Sequence, residues 1–182
     1  MRHDRSPSDE SPAPVFRGPA ELHPSAQRVA AWAAERSLTL EIREYAQDGA
    51  RTAEDAANAV GCQVDQIVKS MVFNLSTETG DELVLALTAG SNRVDPDGLA
   101  ALAGAVRCGR ADPEQVRSIT GYAIGGVPPF GHANQLRTWI DPHLLDFDLV
   151  WAAAGTPRHV FAIAPGTLLE LTGAVEARFT AG

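Results

Sequence analysis

The sequence predicts an α+β domain, a mixed, mostly antiparallel curved sheet flanked by short helices. Strand-like and helix-like segments alternate without the regular spacing of βαβ units, so a wholly parallel sheet is not expected. Two adjacent strand-like runs, 67–75 (IVKSMVFNL) and 82–88 (ELVLALT), are separated only by a short polar loop, as in an antiparallel hairpin. No segment recurs at the period of a solenoid or propeller. A chain of 182 residues with 45% hydrophobic and 21% charged residues has the composition of one globular domain.

Residues 1–23 mix Ser, Pro and both signs of charge with almost no apolar periodicity. They read as a disordered extension without the apolar core of a secretory signal, leaving 24–182 as a single domain. Residues 24–37 place Val29, Trp32 and Ala33 at helical spacing after a Pro-Ser start. Residues 38–45 (LTLEIREY) alternate like a strand with one solvated face. Thr52 followed by Asp55, an alanine run and then Gly61 mark a short helix with a capping box and a glycine stop. One turn at 64–66 leads into the apolar run at 67–75. Beyond the hairpin come a helix at 95–103, a strand at 106–108 and a helix opened by Asp112 and Pro113. Strands are expected at 135–141, 148–153 and 159–164, followed by a closing helix, PGTLLELTG.

The formal net charge of -8 argues against gripping long nucleic acid, which needs many Lys and Arg contacts to phosphate, while a short nucleic-acid end remains accessible. Cys62 and Cys108 form no CxxC and are expected as reduced thiols. No run approaches the roughly 18 to 20 apolar residues of a membrane span, so a cytoplasmic protein without membrane contact is expected. HExxH, EF-hand, Walker A, GxGxxG and GxSxG patterns are absent, and the five histidines fall at no metal-ligand spacing. Neither a metal nor a cofactor is expected.

What remains is one lysine and three loops rich in backbone. Of 15 Lys and Arg residues only Lys69 is lysine, and it interrupts an apolar strand with Ile67 and Met71 on its face. A chain that otherwise uses Arg keeps Lys where a compact charge on a flexible stem, with a pKa that burial can move, has a use. Its simpler alternative is a solvated position at a sheet edge. The loops are AGSNR (89–93), GGVPPFGH (125–132) and GTPRH (155–159). In the second, Pro128 and Pro129 exclude both a helix and a central strand, so it is either a tight connection or a binding loop. Such loops suit a site that holds a substrate by N–H and C=O groups and stabilises an oxyanion with fixed dipoles.

The ordered set VKSMVF, LALTAGSNRVD, GGVPPFGH, TWIDPHLL and AAGTPRHVFAIAPGTLLELTG resembles the YbaK/EbsC family of bacterial aminoacyl-tRNA deacylases, related to the editing domain of bacterial prolyl-tRNA synthetase. The resemblance runs over about 24–179 and implies that fold. It also implies hydrolysis of the ester between a wrong amino acid and the 3'-terminal adenosine of tRNA, without a side-chain nucleophile. Carried onto this chain, the catalytic set is Lys69, Gly125, Gly126 and His132. The substrate-binding set is Gly90, Ser91, Asn92, Arg93, Val127, Pro128, Pro129, Phe130, Gly131, Asp141 and Gly155. The implied partner is the acceptor end of aminoacyl-tRNA. The acidic run Asp95-Pro96-Asp97-Gly98, where relatives are often basic, adds a synthetase as an optional helper in capture. Two other functions fit the same residues: a non-catalytic module binding a nucleotide, tRNA end or protein, and an esterase or amidase acting on small molecules.

Overall fold

The computed structural model describes residues 15–45 and 49–181. Among these residues nine strands make one sheet: β1 (Val15–Phe16), β2 (Arg43–Glu44), β3 (Ile67–Thr77), β4 (Gly80–Ala89), β6 (Arg107–Arg110), β7 (Thr138–Ile140), β8 (Val150–Ala153), β9 (His159–Ile163) and β10 (Val175–Glu176). The order is β1-β2-β9-β8-β3-β4-β7-β10, with β6 joining the second half of β3. A separate antiparallel pair joins β5 (Arg93–Val94) to β11 (Thr180–Ala181). Within the sheet β3·β8, β4·β7 and β7·β10 are parallel and the other pairs antiparallel, the mixed α+β arrangement expected.

Among the described residues five α-helices cover the two faces: α1 (Pro24–Ala34), α2 (Ala53–Val60), α3 (Pro96–Ala103), α4 (Pro113–Thr120) and α5 (Pro165–Thr172). Their ends follow local chemistry. Thr52 and Asp55 form the capping box of α2, and Gly61 ends it at φ +76°. Asp112 and Gln115 cap α4, with Pro113 in its first turn.

Alternation along β3 divides the core. Val68 and Val72 face the main cluster with Val29 of α1, Val116 of α4 and Leu168 of α5. On the opposite face Ile67 packs with Ala56 and Ala57 of α2, whereas Phe73 and Leu75 pack with Leu99 of α3. Lys69 is on this second face, between the two smaller clusters.

Two expectations change. Residues 1–14 lie outside the described residues, but 15–23, expected as part of the extension, are structured. β1 pairs with β2, Arg17 Nε meets Glu44 Oε2 at 2.6 Å, and Leu22 is 5% exposed in the core. Two strand residues and one leucine are too few to leave a period in sequence. Residues 38–45 keep their alternation, with Leu38, Leu40 and Ile42 turned to the core, yet only Arg43 and Glu44 pair as a strand. Among the described residues no helix is long and apolar enough to cross a membrane.

Candidate functional site

β3 carries two different neighbours along one edge. β8 pairs with Ile67 and Val68, β6 pairs with Phe73 to Ser76, and among the described residues no strand stands opposite residues 69–71 on that side. The carbonyls of Val72 and Ser76 accept from this side, from Ala111 N–H at 3.1 Å and Val106 N–H at 2.8 Å. By the two-residue period, the N–H and C=O of Ser70 point into the same gap.

A cavity of about 330 Å³ occupies the gap. Its walls are Ile67 to Met71 of β3, Trp151 to Ala153 of β8, Thr52, Ala53 and Ala56 at α2, and Ile124, Gly125 and Val127 of the Gly/Pro loop. Lys69 and that loop therefore face one space. Ser70 Oγ and Tyr45 Oη, both in lining residues, are buried without a partner among the described residues. So is Thr88 Oγ1, directly across the ladder from Lys69. Orphaned polar atoms are rare in folded proteins, and two of them in the lining of one cavity mark a place built for more than packing.

Lys69 is half-buried, and its pKa is lowered, first by burial and then by the nearby Arg93. Its Nζ donates to the carbonyl of Asn92. Asn92 is itself fixed: Nδ2 donates to Asp141 Oδ2 at 2.8 Å, and its N–H to Ala89 O at 3.0 Å. Asp141 is 2% exposed and also accepts from Ala89 N–H at 3.1 Å and His143 N–H at 3.0 Å, so both oxygens are occupied. Asp141 thus braces the loop that receives Lys69. Gly90 is a packing necessity, since a Cβ there would lie 2.0 Å from Val64 O.

The GGVPPFGH loop is divided between wall and core. Gly125, at φ +88°, and Val127 line the cavity. Gly126 lets the main chain approach that of Gly155 and Thr156, where a Cβ would stand 2.6 Å from Thr156 Cα. Pro128 and Pro129 are buried, and His132 Nε2 donates to Pro128 O at 2.6 Å. Burial lowers the His132 pKa, favouring the neutral ring, which braces the loop and does not line the cavity. Phe130 is 3% exposed, stacked on Trp32 at 4.7 Å and tilted against Phe161 at 5.5 Å. Phe130→Ala is accordingly expected to lower stability by about 3 to 5 kcal/mol, read by denaturant unfolding. Gly131 and Gly155 also hold positive φ and pack against α1.

Residues 47–171 match the family described as the aminoacyl-tRNA editing domain. The chain belongs to that family. A solved structure described as a candidate trans-editing enzyme for prolyl tRNA synthetase is 45% identical to this editing domain. It superposes with a TM-score of 0.81 over 89% of this chain and 100% of the other. The multifunctional Ser/Thr-tRNA deacylase ProXp-y of Escherichia coli (strain K12) is 28% identical over 63% of this chain and 70% of its own length. A proline--tRNA ligase of Desulforamulus reducens is 34% identical over 52% of this chain, but over only 16% of the ligase.

The editing domain's cavity also takes residues that sequence reasoning missed. His159, 4% exposed, lines it with its Nδ1 paired to Thr156 Oγ1, and burial lowers its pKa toward a neutral ring. Trp151 faces the cavity through its register with Ile67. The GTPRH loop points to the region of His159, but nothing in the sequence reports strand register.

Proposed function

We propose that this editing domain works in trans as a free-standing deacylase, clearing a wrong amino acid from tRNA with water as the nucleophile. The family and the deacylase relative support ester hydrolysis on aminoacyl-tRNA. The observation that carries the reading is that Lys69 and the main chain around Gly125 line one cavity. Its volume is at the small end of the roughly 300 to 1,000 Å³ typical of small-molecule sites, and an aminoacyl group with its ribose ester needs little more.

In this mechanism the aminoacyl group enters the cavity and the terminal adenosine stays at its mouth. Water adds to the ester carbonyl carbon, and the carbonyl oxygen becomes an oxyanion facing fixed donors. Collapse breaks the bond to the ribose oxygen, which takes up a proton, and free amino acid and tRNA leave. Lys69 supplies a positioned cationic donor, having spent one of its three N–H groups on Asn92 O. The Gly125–Val127 main chain shapes the wall against which the acyl group is held. An activated ester needs only positioning and oxyanion stabilisation, so no side-chain nucleophile is required.

Incubation with a panel of mischarged tRNAs, prolyl acceptors first, tests this: amino acid should be released from at least one. Tight binding of uncharged tRNA with no hydrolysis across the panel would leave a binding module instead, and tRNA-independent cleavage of free esters would indicate a small-molecule esterase.

Arg110 extends the reading to capture. It pairs with Phe73, on the face of β3 that carries Lys69, and its charge bears on Lys69 alongside that of Arg93. Arg110→Ala is expected to raise KM with little change in kcat, and to reduce the slope of log affinity against log salt by about one. An unchanged salt slope would remove Arg110 from the tRNA contact.

A further inference from the structure

Beyond the Asn92 carbonyl that receives Lys69, an ionic cluster joins three segments. Asp65 lies in the 3-10 turn Val64–Gln66 ahead of β3, and His143 and Asp146 lie in the 3-10 turn Pro142–Asp146 after β7. His143 Nε2 is 3.1 Å from Asp65 Oδ2, and its Nδ1 is 3.0 Å from Asp146 Oδ2. The other oxygen of Asp65 accepts twice from Ser91, from its N–H at 3.1 Å and from its hydroxyl. Ser91 is the residue before Asn92. The loop that receives Lys69 is therefore held at Asn92 by Asp141 and at Ser91 by Asp65, and both holds run back to the turn carrying His143, whose own N–H caps Asp141.

We infer that Asp65 and His143 are positioning residues for Lys69, clamping the Ser91–Asn92 loop so that the Asn92 carbonyl holds the ammonium at the cavity wall. The inference rests on the deacylase reading only in assigning Lys69 a catalytic purpose. A lysine on a four-carbon stem is a poor fixed donor unless something over-determines its head, and here that something is one main-chain carbonyl. Misplacing a reacting group by about 1 Å can cost as much as 10²-fold in rate, so the rigidity of this loop matters more than its exposure suggests.

The clamp is also sensitive to pH. Both ring nitrogens of His143 face carboxylates, an arrangement complete only when both carry protons. Its pKa is raised by hydrogen bonding to Asp146 and Asp65. A raised folded-state pKa means the clamp is whole at lower pH and loosens as pH rises through that value. The charges that raise it are the carboxylates of Asp146 and Asp65. Phe147 meets it edge-on at 5.4 Å. The β4 residues 83–89 near the turn carry no charge, and Glu170, the one titratable residue of α5, is exposed.

The test uses isotope-labelled full-length protein in Asp65→Asn, His143→Gln and native forms, with thermal unfolding monitored to confirm folding. Titration of His143 in the native protein should be mirrored at the Asn92 amide and the Lys69 side-chain resonances. Both variants should shift those Lys69 signals and speed amide exchange at Ser91 and Asn92. In deacylation, His143→Gln should lower kcat by about tenfold with KM little changed, and the native-to-variant ratio should fall toward one as pH rises. In a Lys69→Ala background the second substitution should add nothing. Lys69 and Asn92 signals that ignore both the variants and the titration would overturn the inference, as would a full His143→Gln defect without Lys69. If no aminoacyl ester is hydrolysed at all, the deacylase reading fails while the resonance and exchange measurements still decide the clamp.

Discussion

Lys69→Ala is expected to slow release of amino acid from mischarged tRNA by about 10²- to 10³-fold, the loss typical of removing one preorganised donor to an oxyanion. The side chain stands between the cluster under α2 and the cluster under α3, where the sheet face is left open to the cavity. Burial and Arg93 both disfavour its charge, so Lys69 is not there for stability. Thermal unfolding of the Ala variant should accordingly be unchanged or slightly improved, separating a functional loss from a folding one. Lys69→Arg should not restore the rate. A planar guanidinium cannot place a point charge on the Asn92 carbonyl and still present free N–H groups in the same direction. Single-turnover assays on the tRNA panel read both variants, and equal rates for native and Ala forms across all substrates would remove Lys69 from the chemistry.

The second large effect is expected at Gly126. A Cβ there would lie 2.6 Å from Thr156 Cα and 2.8 Å from both Gly155 O and Thr156 N, all main-chain atoms. Gly155 cannot retreat, because it holds φ +94° with its own Cβ direction 2.7 Å from Ser25 O on α1. Gly126→Ala therefore has to spread the Gly/Pro loop from the GTPRH loop. The overpacking costs about 1 to 3 kcal/mol, which lowers Tm by about 2 to 4 °C per kcal/mol in a domain of this size. Because Gly125 and Thr156 both line the cavity, its wall moves and activity falls with stability. Gly166→Ala is the control: a Cβ there meets nothing within 4 Å, and neither property should suffer.

How much of this was legible in the sequence depended on whether the signal was local. The cap of α2 was readable because Thr52 and Asp55 are three residues apart, and the β3–β4 hairpin because its two halves adjoin. Lys69 was visible as a compositional oddity, and Gly125 and Val127 as part of an unusual loop. The sequence did not show that Phe130 turns inward, because an aromatic in a Gly/Pro loop is written the same way whether it meets substrate or Trp32. Nor did it show His159 in the cavity wall, since that depends on how β8 and β9 align beside β3. The short strands β5, β10 and β11 left no pattern, having two residues each. Asp65 and His143, 78 residues apart in sequence, meet only because two 3-10 turns pack at the same end of the sheet.

An unpaired strand edge is ordinarily an invitation to aggregate, since any extended chain can add to it. Here, among the described residues, the bare stretch of β3 is residues 69–71, closed at one end by β8 and at the other by β6. A foreign strand needs several consecutive residues to pair and cannot fit between those two flanks. The domain can thus leave the main-chain groups of Ser70 facing the cavity without offering a full strand edge to other proteins.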